Sequence, residues 1–178
     1  GATVNTNLAS GNLNTAGDTA LNGSANADSL TVENGTLTVN GALTNNTATV
    51  TVENGTLAAN GTIAASSIDV QGGANLTTGE AERLSAGVAL NADGTVSLGG
   101  DETIGDLSGS GIITNNGNGL TVNQTSDTAF TGNITGAGGL TKQGEAGLTL
   151  TNGSDFTGDA NINAGTLTVS GLLATNTI

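Results

Sequence analysis

The chain has no cysteine, methionine, tryptophan, tyrosine, histidine or proline, and two phenylalanines are its only aromatic residues. Without cysteine there are no disulfides and none of the commonest structural zinc sites. Without histidine the usual proton shuttle of catalysis is missing. So few large rings cannot build the core of a conventional compact domain. Positive charge is almost as scarce: Arg83 and Lys142 stand against 15 acidic residues, for a formal net charge of -13. Such a surface repels a phosphate backbone or an anionic lipid layer, which excludes nucleic acid as a partner. No apolar run approaches a membrane span or a signal peptide, so no membrane insertion is expected of this segment. A chain opening Gly1-Ala2-Thr3 is expected to have been processed or cut from something longer.

What remains is a 35% share of hydrophobic residues, nearly all Ala, Val, Leu and Ile, with 30 glycines and many Thr, Ser and Asn. Small aliphatics suit a narrow interior filled one layer at a time. The acids are dispersed along the chain and read as a solvated, soluble surface. Disorder is argued against by period-2 alternation. Ser29-Leu30-Thr31-Val32, Thr49-Val50-Thr51-Val52, Gly119-Leu120-Thr121-Val122, Gly147-Leu148-Thr149-Leu150 and Thr166-Leu167-Thr168-Val169 are short apolar and β-branched runs bounded by Gly and Asn. Those are strands separated by turns.

The strands repeat. Thr-Val-Glu-Asn-Gly-Thr-Leu occurs at 31–37 and again at 51–57, and the alignment continues through Asn40-Gly41 over Asn60-Gly61 to Val50 over Val70. A period of about 20 residues suits a solenoid rung, which cannot bury its apolar face until a neighbour stacks on it. Asn-Gly often marks a two-residue hairpin, but Asn34-Gly35 and Asn40-Gly41 are too close together for one and read as corners of a coil. The expected architecture is an all-β, right-handed parallel β-helix, a single domain over 1–178. Regular rungs span 29–70, an irregular or looped stretch 71–110, and longer units 111–171, with roughly 20–28 residues per rung. Glu80 to Leu84 is the one stretch that reads as a helical turn. Around nine rungs would stand about 40 Å tall at ~4.8 Å per step, with Asn above Asn and Thr above Thr. The longer units come from matching 119–122 to 147–150, and Ala129-Phe130-Thr131-Gly132 to Asp155-Phe156-Thr157-Gly158.

The segment Gly136-Ala137-Gly138-Gly139-Leu140-Thr141-Lys142-Gln143-Gly144-Glu145-Ala146-Gly147-Leu148-Thr149-Leu150-Thr151, followed by Phe156-Thr157-Gly158 and Ile162-Asn163-Ala164-Gly165-Thr166-Leu167-Thr168-Val169, resembles the autotransporter-associated β-strand repeat. That repeat belongs to passenger domains of type V secreted proteins of Gram-negative bacteria. A degenerate copy at 109–135 lacks the lysine, and Glu145-Ala146 and Phe156 depart from the usual Gly-rich pair and Tyr. The resemblance implies a β-helix displayed on, or released from, the bacterial cell surface. It implies a stalk-building element, and no activity of its own. The expected role is a structural or adhesive extracellular module, either a passenger stalk or a subunit of a self-assembling fibre in a biofilm-like matrix. Expected partners are other copies, through solenoid ends or strand edges, and a host-surface or matrix ligand. A carbohydrate-binding or polysaccharide-degrading β-helix is the alternative.

Candidate sites are few. Asp101 with Glu102, and Asp155 with Asp159, are the acid pairs that glycoside chemistry would need, but base, oxyanion and stacking partners are absent, so no enzymatic activity, catalytic residue or cofactor is expected. Glu33 and Glu53 occupy equivalent repeat positions and are weak metal candidates. Ca²⁺ could bridge them, though it takes six or more oxygens. Asp106-x-Ser108-x-Ser110-Gly111 begins like a calcium loop but has Gly117 where the closing Glu belongs, so it reads as a turn. Asn-Gly-Thr triplets at 34–36 and 54–56 fit glycosylation sequons and are better explained as turns. Phe130 and Phe156 are expected to stack and seal the coil, and Lys142 to snorkel over the surface or pair with an acid.

Overall fold

The computed structural model describes residues 1–5, 11–152, 154–174 and 177. Those residues form 25 strands of two to four residues and no helix. Val, Leu, Ile and Thr alternate in them so that one side chain points inward and the next outward, as in the alternating buried and half-buried pattern of Thr36–Val39 and Ser67–Val70.

The strands stack in parallel on three faces. The first face is one nine-stranded sheet running from Ala2–Val4 through Thr19–Leu21, Thr36–Val39, Thr56–Ala59, Asn75–Thr78, Thr95–Ser97, Ile112–Thr114 and Asn133–Gly136 to Asp155–Phe156. The second begins with Asn12–Thr15, Ser29–Val32, Thr49–Val52, Ser67–Val70, Ala89–Ala92 and Leu107–Ser108. A bridge between Gly109 and Phe130 carries it on to Thr128–Phe130, Gly147–Leu150 and Thr166–Val169. The third starts with Ser24–Ala25, Ala42–Leu43 and Thr62–Ile63, to which Leu84 is bridged. It resumes at Glu102–Ile104, Leu120–Asn123, Leu140–Gln143 and Ala160–Ile162. The chain visits the faces in turn, so the molecule is the β-solenoid that the alternation and the repeat require.

Register gives the rung length. The shortest rungs set Asn12 beside Ser29 and Thr95 beside Ile112, and the longest sets Ser67 beside Ala89. The coil is therefore tighter than expected, and no rung approaches the upper end of the range read from the sequence. Leu120 pairs with Leu140, and Thr128 with Leu148, the same offset that separates the two copies of the heptapeptide. The matched segments 119–122 and 147–150 consequently lie on different faces, the third and the second. The doubled heptapeptide does stack as expected, with Thr31 beside Thr51 and Leu37 beside Leu57. Beyond it the register has slipped by two: Val50 pairs with Ile68, not Val70.

Residues 71–110 are irregular in rung length but remain within the stack, contributing strands to all three faces. Glu80 to Leu84 forms no helix. Glu82 takes a left-handed backbone, φ 53°, and its N–H donates to the Asp101 carbonyl at 2.8 Å, which joins the two halves of the third face.

The interior is a set of aliphatic columns. Leu30, Val50, Ile68, Leu90 and Leu107 form one column on the second face, and Leu37, Leu57, Leu76, Val96, Ile113 and Ile134 another on the first; all are buried. Corners stack as closely as strands. A Cβ on Gly61 would sit 1.6 Å from the Gly41 carbonyl oxygen, so only glycine allows the two corners to meet.

Candidate functional site

The polar groups that chemistry would need are engaged between rungs. Asp carboxylates at corners accept backbone N–H groups of the following rung: Asp18 from Thr36 at 2.9 Å, Asp93 from Ser110 at 2.9 Å, Asp101 from Gly119 at 2.7 Å and Asp127 from Gly147 at 2.7 Å. Asp106 accepts two, from Thr125 at 2.6 Å and Ser126 at 3.1 Å. A corner breaks the strand ladder and leaves N–H groups without carbonyl partners, and a carboxylate of the preceding rung is the acceptor within reach. The hydroxyl of Ser110 and the amide of Asn91 hold the Asp93 carboxyl below its ordinary value. Partial burial pushes Asp106 upward, but the donors from Thr125 and Ser126 outweigh it and the net direction is down.

Asparagines make a second device. Asn22 donates its side-chain amide to Asn5 at 2.7 Å, Asn40 to Asn22 at 2.8 Å and Asn60 to Asn40 at 2.9 Å. This is the Asn-over-Asn ladder expected from the repeat. It stops at Gly79, where an added Cβ would lie 2.8 Å from the Asn60 oxygen.

Polar side chains also enter the core. The Glu102 carboxylate is buried and accepts the N–H groups of Arg83 at 3.0 Å and Leu84 at 3.1 Å. Burial raises its pKa, the donors from Leu84, Arg83 and Thr78 oppose the rise, and the charge of Glu82 adds to it. Lys142, equally buried, stacks between Val122 and Ile162. Its ammonium donates to the carbonyls of Gln143 at 2.6 Å, Gly144 at 2.9 Å and Ala164 at 3.2 Å. Desolvation lowers its pKa against the pull of Glu145 and Asp127. The expected surface lysine is thus an interior clamp on two successive corners. Asn115 is similar: its buried carbonyl oxygen accepts Gly138 N–H at 2.9 Å and Gly117 N–H at 3.3 Å.

The other sequence candidates separate. Glu33 and Glu53 do lie one above the other, since each follows a residue of the Val32–Val52 pair. No third acid, histidine or cysteine joins them, and among the described residues no group of three or more such side chains could hold a metal ion. Asp101 and Glu102 are neighbours in sequence that point apart, one to the Gly119 N–H and the other into the core. Asp155 belongs to a first-face strand, and Asp159 precedes a third-face strand. The oxygens of Asp106, Ser108 and Ser110 do not converge: Ser108 donates to Asn91 at 3.2 Å and Ser110 to Asp93 at 2.8 Å. Phe130 and Phe156 are both buried, but they pair with Leu150 on the second face and Gly136 on the first, so they are not stacked in one column. One open groove of ≈ 360 Å³ lies over the outer side of the first face, against Thr3, Asp18, Thr19, Thr36 and Thr38. No family model, curated protein or solved structure matches the chain.

Proposed function

We propose that the chain is a structural element of an extracellular bacterial surface protein, a solenoid stalk or fibre segment that sets distance and presents a polar lateral surface. The observation that carries this reading is where the ionisable groups go. Asp18, Asp93, Asp101, Asp106, Asp127, Glu102 and Lys142 each bond backbone groups of a neighbouring rung or corner. A group held in that way serves shape and is not poised for proton transfer or substrate binding. The resemblance of 136–169 to the autotransporter-associated repeat supports the surface location and the secretion route.

The proposal treats the molecule as non-enzymatic, with self-association through solenoid ends as its main interaction. The last described rung leaves Ile162 41% and Leu172 81% exposed, apolar surface that more solenoid or a second copy would cover. Two assays on purified protein test the reading together. Electron microscopy is expected to show rods or end-to-end filaments, while glycan arrays and reducing-end assays on polysaccharides stay silent. Saturable binding to a defined glycan, or release of reducing ends, would overturn it in favour of the carbohydrate-active alternative.

A further inference from the structure

We propose that Asn34 and Asn54 are sites of spontaneous backbone-directed deamidation in the folded protein, and that the Asn-Gly pairs beginning at 40, 60, 116 and 118 are protected by the solenoid's own hydrogen bonds. An Asn-Gly dipeptide converts when the glycine nitrogen attacks the asparagine side-chain Cγ. A C–N bond closes a five-membered imide, the amide nitrogen leaves as ammonia, and water then opens either imide carbonyl to give aspartate or isoaspartate. The reaction needs a glycine nitrogen free to act as nucleophile and an asparagine amide free to turn towards it.

Exposure does not distinguish the sites: Asn34, Asn40, Asn54, Asn60 and Asn116 are all exposed. Hydrogen bonding does. Gly41 N–H donates to the Leu21 carbonyl at 3.0 Å, and Gly61 N–H to the Val39 carbonyl at 2.7 Å. Their asparagines, Asn40 and Asn60, are fixed in the amide ladder. Gly117 N–H is held by Asn115 at 3.3 Å and Gly119 N–H by Asp101 at 2.7 Å. Asn116 and Asn118 both donate to the Leu98 carbonyl, at 3.0 and 3.1 Å. At Asn34-Gly35 and Asn54-Gly55, by contrast, neither the side-chain amides nor the glycine nitrogens make a hydrogen bond among the described residues. The same heptapeptide corner lacks these hydrogen bonds in both of its copies, with Gly35 exposed and Gly55 buried against it.

Conversion there is consequential. Each event adds a negative charge next to Glu33 or Glu53, which already lie on adjacent rungs. Isoaspartate also lengthens the backbone by one atom at a corner where even a Cβ on Gly55 would come within 2.4 Å of the Gly35 carbonyl oxygen. The two corners thereby record time since folding.

The test is a peptide-mapping time course by mass spectrometry on the folded chain in mildly alkaline buffer, with the urea-unfolded chain alongside. Acid and isoaspartyl products are expected first at 34 and 54, at rates about tenfold or more above those at 40, 60, 116 and 118, because the held pairs must break two hydrogen bonds before reacting. In urea the rates at all these pairs should converge, and N34Q and N54Q should each remove the product at one site only. Comparable rates in the folded chain at these six of the sequence's eight Asn-Gly pairs would overturn the proposal. So would no conversion at 34 and 54 over a period in which the unfolded chain converts.

Discussion

In Leu140-Thr141-Lys142 the strand alternation already points the lysine to the same side as Leu140, and the same rule places Glu102 inward with Ile104. A reading that ranks charged side chains as surface residues overrides that rule and puts both in the wrong place. The alternation wins because each finds several partners: three carbonyls for the ammonium, and two backbone N–H groups plus Thr78 for the carboxylate. Lys142→Met keeps the length of the side chain but withdraws the donor from the Gly144 and Ala164 carbonyls and from that of Gln143, which keeps only the Gln124 N–H. It should destabilise the C-terminal rungs by about 2–4 kcal/mol, read as a shift of the urea midpoint, and Lys142→Arg should not restore it. Asp106 makes a pH prediction. Its folded pKa lies below the ordinary 3.8, so its contribution is complete above that value and is lost as pH falls through the folded pKa. Asp106→Asn keeps an acceptor for Thr125 and Ser126 but loses the charge, so it should be less stable than the parent at neutral pH and show a flatter decline below about pH 4. An acid limb identical to that of the parent protein would count against the clip.

At the scale of strands and corners, the solenoid itself was legible because period-2 alternation and Asn-Gly corners are local signals. Register was not. Gly-Leu-Thr-Val and Gly-Leu-Thr-Leu look alike, yet one belongs to the third face and the other to the second. Every strand carries the same small vocabulary, so a match by eye fits several offsets, and only the closing of the coil selects one. The two phenylalanines misled for the same reason, since similar Phe-Thr-Gly turns serve different corners. Close approach at corners separates glycines that sequence treats alike. Gly61→Ala should cost several kcal/mol or prevent folding, because a Cβ 1.6 Å from the Gly41 oxygen forces the rungs apart. Gly72→Ala meets nothing within 4 Å and should be neutral or slightly stabilising. Asn40→Ala breaks two ladder bonds at an exposed corner and should cost about 1 kcal/mol. Thermal melts of the three variants check the order.

Across the whole molecule, each rung touches only its neighbours, and the polar devices described above also reach one rung and no further. Stability and length should then be sums over rungs. The corner acids look dispersed in the sequence because their partners lie a rung away, which is why they read there as a solvated surface. The proposed stalk or fibre role rests on this additivity, for a spacer is useful only if its length follows from the number of its units. The segment 53–70 is one complete rung, since Val52 and Val70 pair in register. The most direct measurement is small-angle scattering on three chains: one lacking 53–70, the parent, and one carrying three further copies inserted after Val70. Folded rods are expected throughout, with the maximum dimension changing by about 4.8 Å per rung, so that the longest exceeds the parent by about 14 Å. Unfolding of either altered chain, or a dimension that does not follow rung number, would contradict the additivity on which the proposed role depends.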